Sequence, residues 1–367
     1  MLAAACASTA RASSGLLLGI TDSGSAYYDE PDSFYPTLGQ LGAQVLRVQL
    51  NWGGPLGVAG KRPAEPDDPN DAAYDWSRYD RIVLDANEQG VTILFTIFGT
   101  PTWANGGQKP THAPAQAATL RAFAFAAATR YSGSFVRADG TVLPRVRYWS
   151  AWNEPNLPIG LVPQWRKVNG RWVIQSARDY AHICNAVVDG VHGTLIAGER
   201  VACGDTAPRG NNAPTSSRPT TSPLAFLRAM KSAGARGFDA YAHHPYPGSP
   251  RETPATAPPG STAVTLGNLD VLTKELTRLY GNKPLWLDEY GYQTNPPDRD
   301  LGVSPRLQAQ YLTQSVAIAR KNPRVTMLLW FLVRDEDRLG GWQSGLETWS
   351  GVHKPAFNAF ALAAADV

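Results

Sequence analysis

The chain has 367 residues, of which 43% are hydrophobic, 10% aromatic and 18% charged, with a formal net charge of +3. That length exceeds the usual domain but suits one α/β barrel carrying loop insertions, and a near-neutral balance without a basic block gives nucleic acid no electrostatic footprint to grip. Beyond the N-terminus no apolar run approaches the ~18 residues that a membrane-spanning helix needs.

Residues 1–13, MLAAACASTARAS, are Ala-rich and end in small residues, like the tail of a secretory signal. We expect a remnant of an export signal or a disordered N-terminus there, and one domain over residues 14–367 of a secreted, monomeric protein of the extracellular space or cell envelope. Cys6 suggests a lipid anchor, but the residues before it fit poorly.

Eight short apolar or β-branched runs then alternate with helical patterns, the signature of repeated βα units and a parallel sheet. Strands are predicted near 16–22, 45–52, 91–99, 146–153, 194–201, 237–243, 284–290 and 325–332. Helices are predicted near 33–42, 77–89, 114–131, 176–190, 222–234, 266–280, 305–321 and 355–364. Ser304 and Pro305 offer an N-cap followed by proline at the first helical position. Eight units argue for a closed (β/α)8 barrel over an open doubly wound sheet, and no Gly-x-Gly-x-x-Gly follows the first strand to support dinucleotide binding. The segments 53–74, 157–175, 203–221 and 245–263 are rich in Pro, Gly, Asn, Ser and Thr, and each follows a strand. In a barrel they gather on the C-terminal face, where they would build a cleft.

Two strands deliver a glutamate to that face. Val146 to Asn156 reads VRYWSAWNEPN and carries Glu154 at the end of its apolar run, while Leu285 to Gly291 reads LWLDEYG and places Glu289 where the strand should stop. Two carboxyl groups are the minimum apparatus for cutting a glycosidic bond, one to protonate the leaving oxygen and one to attack or to activate water. Either acid could instead be a solvated loop residue, but Pro155 fixes the backbone after Glu154 and aromatic residues crowd both sites. Eleven Trp and fourteen Tyr supply flat apolar faces that can stack on sugar rings.

The pair WNEPN and LDEYG resembles the acid/base and nucleophile motifs of the retaining glycoside hydrolases of clan A, which are (β/α)8 barrels. The resemblance extends from about Leu16 to Phe360. It implies cleavage of a poly- or oligosaccharide by double displacement, with Glu154 as general acid and later base, and Glu289 as nucleophile. Asn153 matches the asparagine that bonds the sugar 2-hydroxyl, and Arg47, which shares a strand face with Gln49, resembles the guanidinium beside the nucleophile. His244 and Tyr246, in a His-Pro-Tyr run, resemble the histidine and tyrosine of the same pocket, with Tyr246 donating to Glu289. Trp330 matches the tryptophan that floors the sugar pocket, and Trp103 would flank the site. The run from Gly341 to Leu346, which includes Trp342, resembles the closing loop and carries little chemistry. Thr-Pro-x-Trp after strand 3 and His-Pro-Tyr lean toward the group holding β-xylosidases and endoglycosidases of bacterial exopolysaccharides; a cellulase-like family is the runner-up.

A carbohydrate substrate is thus the expected partner, and no cofactor or metal is expected, because two carboxylates supply both proton and nucleophile. A rival reading takes His243, His244 and Asp288 as metal ligands, but adjacent strand residues point to opposite faces. A transglycosylase would carry the same residues, and a non-catalytic sugar-binding barrel could keep the cleft. Cys184 on a predicted helix and Cys203 after the next strand suit a disulfide in an exported chain, with two buried thiols as the alternative.

Overall fold

The computed structural model describes residues 15–366. The readings placed on residues 1–13, including Cys6, lie outside them. In chain order the strands are β1 (Leu17–Thr21), β2 (Val45–Asn51), β3 (Thr92–Phe98), β4 (Tyr148–Ala151), β5 (Trp165–Val168), β6 (Arg171–Ile174), β7 (Arg200–Thr206), β8 (Ala240–His243), β9 (Leu285–Tyr290) and β10 (Val325–Phe331). The helices are α1 (Ser23–Tyr28), α2 (Pro31–Leu41), α3 (Ser77–Glu88), α4 (Ala117–Arg130), α5 (Gln175–Gly193), α6 (Pro223–Ser232), α7 (Leu269–Tyr280), α8 (Pro305–Lys321) and α9 (Pro355–Ala365).

Eight strands close into a parallel barrel in the order β1-β10-β9-β8-β7-β4-β3-β2, so the expected (β/α)8 fold is the one observed. Helix α8 begins as its sequence dictates, with Ser304 accepting from the Leu307 amide and Pro305 at the first turn. Among the described residues no helix is long and apolar enough to cross a membrane.

The two-residue period of each strand divides its side chains between two environments. Leu46, Val48, Phe95, Ile97, Trp149 and Leu287 pack outward into the main core beneath the helices. Val45, Leu94, Ala202, Ala242, Trp286 and Leu329 fill the barrel's lower interior, with Tyr148 against them. Two residues further along the same strand faces, the sequence turns polar: Val45 gives way to Arg47, Leu94 to Thr96, Tyr148 to Ser150, Ala242 to His244 and Trp286 to Asp288. All five of these upper residues are buried. The barrel is therefore apolar at its base and polar, with buried charges, toward the C-terminal ends of its strands.

Three elements depart from the sequence reading. The fifth barrel strand, expected near 194–201, is β7 at Arg200–Thr206. The apolar pair Leu195 and Ile196 belongs to a turn after α5, where Leu195 is 89% exposed with φ 60°. Cys203 therefore lies within the strand rather than after it. The expected loop 157–175 contains the antiparallel hairpin β5–β6, and the short helix α1, capped by Asp22 accepting from the Ser25 amide, was not anticipated. Cys184 on α5 and Cys203 on β7 are joined by a disulfide across a helix–strand contact, with Cα atoms 5.8 Å apart.

Candidate active site

Glu154 and Glu289 stand at the ends of the fourth and seventh barrel strands, β4 and β9, with side chains 19% and 13% exposed, so both open to solvent from otherwise buried surroundings. An oxygen of each carboxylate and a ring nitrogen of His244 all lie within 4.8 Å of one another.

The backbone at Glu154 is unusual. Trp152 has φ 71° and Glu154 φ 42°, left-handed values that non-glycine residues adopt only where neighbours impose them. The Trp152 amide donates to Ile97 O, the Glu154 amide to Asp205 O (both 2.9 Å), and the Trp152 indole to Gly160 O at 2.8 Å. Gly160 comes so close that a Cβ there would meet Asn153 O at 2.2 Å and Glu154 O at 2.3 Å, which makes glycine the residue that lets the loop close under the glutamate. Asn156 ties this loop to the one after β7, accepting from the Ala207 amide at 2.8 Å and donating to Thr221 O at 2.9 Å.

Arg47 is the hub. Its Nη1 lies 2.9 Å from Glu289 Oε2, its Nη2 donates to Asn153 Oδ1 at 2.7 Å and meets Asp205 Oδ1 at 3.2 Å, and its Nε donates to Thr96 and sits 3.0 Å from Asp288 Oδ2. Tyr246 donates its hydroxyl to Glu289 Oε1 at 3.1 Å, and burial holds that phenol protonated, well above its ordinary pKa. Burial raises the Glu289 carboxyl, with the His244 and Arg47 charges pulling it back down. Burial also raises Asp205 far above the carboxylate range, helped by Asp288 beside it; Asp205 is held in turn by the Ser150 hydroxyl.

His244 Nδ1 is 3.1 Å from Glu154 Oε1 and its Nε2 3.5 Å from Asp288 Oδ1. Burial alone would lower its pKa, but Glu289, the bond to Glu154, and Asp288 together raise it to about 9, so the ring is an imidazolium that bridges the acids. His243 points the other way, to Thr206 Oγ1 at 2.8 Å and Val264 O at 3.0 Å, and burial lowers it to about 4. The two histidines thus face apart, as strand alternation requires. Asp205, His244 and Asp288 could offer ligand atoms to one ion, but the Arg47 guanidinium already lies between the two aspartates where a cation would sit.

Arg47, Gln49, Asn153 and Glu289 line a cleft of about 780 Å³, together with Phe331 and residues of the segments after β1 and β10. Trp330 is not among them. It lies on the outward parity of β10, opposite Ile20, 2% exposed, with its indole donating to Ser344 O at 2.8 Å and its ring edge-on to Tyr290. The expected flooring tryptophan is therefore a core residue, because the strand's alternation turns Phe331 inward in its place. Beside Phe331, at 5.2 Å between ring centroids, stands Trp342, 40% exposed and 5.5 Å from Tyr246. Trp342, set aside in the sequence as texture, packs against both Phe331 and Tyr246, the donor to Glu289. Trp103 does not line the cleft either; its indole donates to Ala59 O at 2.9 Å and its ring packs edge-on against Trp52.

No protein-family model matches the sequence, and no curated protein matches it. Solved structures do share the fold. A family 39 glycoside hydrolase from the gut symbiont Bacteroides cellulosilyticus WH2 superposes with a TM-score of 0.64 at 18% identity, over 95% of this chain and 63% of that one. A glucosidase from Croceicoccus marinus gives 0.67 at 15% identity, over 96% of this chain and 67% of that one. The endo-β-1,4-mannanase from Thermotoga petrophila gives 0.58 at 12% identity, over 96% and 76%. At such identities the likeness is one of fold: the chain is a (β/α)8 barrel of the architecture that these glycoside-cleaving enzymes use, and it spans less than two thirds of the first of them.

Proposed function

We propose that the protein is a secreted retaining glycoside hydrolase that cleaves O-glycosidic bonds of a poly- or oligosaccharide by double displacement. The observation that carries this reading is the approach of the Glu154 and Glu289 carboxylates, with oxygens within 4.8 Å, in one solvent-open site. Retaining enzymes keep their carboxyl groups about 5–5.5 Å apart, whereas inverting ones leave about 6.5–9.5 Å for a water. The glycoside-cleaving enzymes among the structural neighbours agree with it, and the disulfide suits an oxidising compartment.

The surroundings favour one division of roles. Glu289 receives Arg47 and Tyr246, two donors that favour its ionised form, and is poised to attack the anomeric carbon. Glu154 gives its proton to the departing glycosidic oxygen, which leaves a glycosyl ester on Glu289. Glu154 then takes a proton from water as that water attacks the same carbon and frees Glu289. Asn153, oriented by Arg47, is placed for the sugar 2-hydroxyl, and Trp342 offers the ring face. Within this class we favour the group that holds β-xylosidases and exopolysaccharide endoglycosidases, on the Thr-Pro-x-Trp and His-Pro-Tyr runs. A panel of aryl glycosides and purified polysaccharides, with the anomeric configuration of the first product read by proton NMR, tests the reading. Net retention is expected. Inversion would refute double displacement, and no turnover on any glycan would refute the glycosidase.

A further inference from the structure

We propose that Tyr28 and Trp349 form a second sugar-binding subsite in the outer part of the cleft, taking a neutral pyranose ring beyond the one held between the two glutamates. The proposal rests on the glycosidase reading and adds to it the length and charge of the substrate. Tyr28, at the end of α1, and Trp349, in the segment between β10 and α9, line the same cleft as Arg47, Asn153 and Glu289. They are 70% and 65% exposed, in a chain that buries most of its large aromatic rings. A single bare aromatic is ordinary, but two bare rings in one cleft that reaches the Glu289 carboxylate offer what a sugar ring stacks on, a flat apolar face in a polar surround.

The two rings are held by a common support. Arg334 lies 3.5 Å from Asp29, the neighbour of Tyr28, and 3.3 Å from Glu347, close before Trp349 in sequence. It thus ties the segment after β1 to the segment after β10. Arg78 stands over the Tyr28 ring at 5.8 Å and fixes it further.

Charge selects the ligand class. The outer wall carries Asp29, Glu336 and Asp337 against Arg334 and Arg338, while Asp335 is already paired with the buried Lys354 at 2.6 Å. Both arginines are already engaged, Arg334 as described and Arg338 with Glu336 at 3.8 Å and Asp337 at 4.0 Å. A sugar carboxylate would meet a wall in which acids outnumber bases and each base has a partner, so a neutral ring fits and a uronate does not.

The test compares the wild type with Trp349→Ala, Trp349→Phe and Tyr28→Ala on two substrates of the same sugar, an aryl monoglycoside and a neutral tetrasaccharide. Neither residue touches the carboxylates, so the aryl monoglycoside should be turned over unchanged, while the tetrasaccharide KM rises about tenfold in Trp349→Ala, as expected for one lost stacking contact, and recovers in Trp349→Phe. An unchanged tetrasaccharide KM, equal losses on both substrates, or tighter binding of a uronate-containing tetrasaccharide would overturn the subsite. If the wild type cleaves no glycoside, the glycosidase reading fails separately. Calorimetric titration with neutral tetrasaccharides then decides the subsite: binding that weakens in Trp349→Ala supports it, and binding that is absent or unaffected overturns it.

Discussion

Arg47 Nη1 and Glu289 Oε2 stand 2.9 Å apart although 242 residues separate them in the chain. The same guanidinium reaches Asp205 at 3.2 Å and Asp288 at 3.0 Å, so one cation serves three acids around the barrel's upper end. Removing it leaves buried carboxylates without a counter-charge, a change that costs about 3–5 kcal/mol when a buried pair is broken from one side. Arg47→Met should lower unfolding stability by that amount in urea titration. Arg47→Lys keeps the charge but loses the planar fork that holds Glu289 and Asn153 together, so it should stay folded and lose activity. A Met variant as stable as the wild type would show that the acids are neutral without Arg47.

The fold was legible because strand and helix periods alternate eight times, and the glutamates were legible because each ends an apolar run. What stayed hidden has physical causes. Asp205 has the outward parity of Val201 and Cys203, and only the irregularity between Cys203 and Thr206, where Gly204 has φ 117° and Asp205 φ 45°, turns it inward to Arg47. The apolar pair Leu195, which is exposed, and Ile196 drew the expected strand several residues early, and Asp205 fell into a supposed loop. Trp330 and Phe331 are adjacent aromatics, and only the barrel register says which faces inward. Trp342 packs on Tyr246 from a segment without regular structure, and nothing in its local sequence places it there.

Cys184 and Cys203 close a covalent loop with a sequence separation of 19, and both side chains are fully buried. In the chain-entropy model a loop of this size stabilises the fold by about 3 kcal/mol. The double variant Cys184→Ala, Cys203→Ala should lose roughly that much in denaturant titration. Denatured, unreduced protein should titrate a single thiol, that of Cys6; three reactive thiols would mean the bridge does not form.

The neighbouring histidines set opposite pH slopes. His244 is raised from 6.5 to about 9, so the folded state holds its proton more tightly than the unfolded chain does. Its contribution to stability is whole below pH 6.5 and fades as pH rises toward 9. His243 is lowered from 6.5 to about 4, so its contribution is whole above pH 6.5 and fades as pH falls toward 4. Melting temperature should therefore fall on both sides of that pH. His244→Gln should flatten the alkaline limb and His243→Asn the acidic one. Curves that stay parallel to the wild type across the matching window would remove the histidines as the cause.

The sharpest expectation separates the two glutamates by what each truncation leaves behind. Glu154→Ala removes proton donation, so substrates with poor leaving groups should stall, while an aryl glycoside whose phenolate departs unaided still forms the ester on Glu289. Its hydrolysis then lags for want of a base. Azide, which needs none, should restore turnover and give the glycosyl azide with retained configuration. Glu289→Ala removes the attacking group itself, so no covalent intermediate forms on any substrate, and azide in the vacated space should give the inverted product. Arg47 and Tyr246 would remain as donors beside that space, where they can hold the anion. Each rescued product is read by NMR at the anomeric carbon. Inverted azide from Glu154→Ala together with retained azide from Glu289→Ala would exchange the two roles; undiminished activity of both variants on a natural glycan would place the chemistry elsewhere in the molecule.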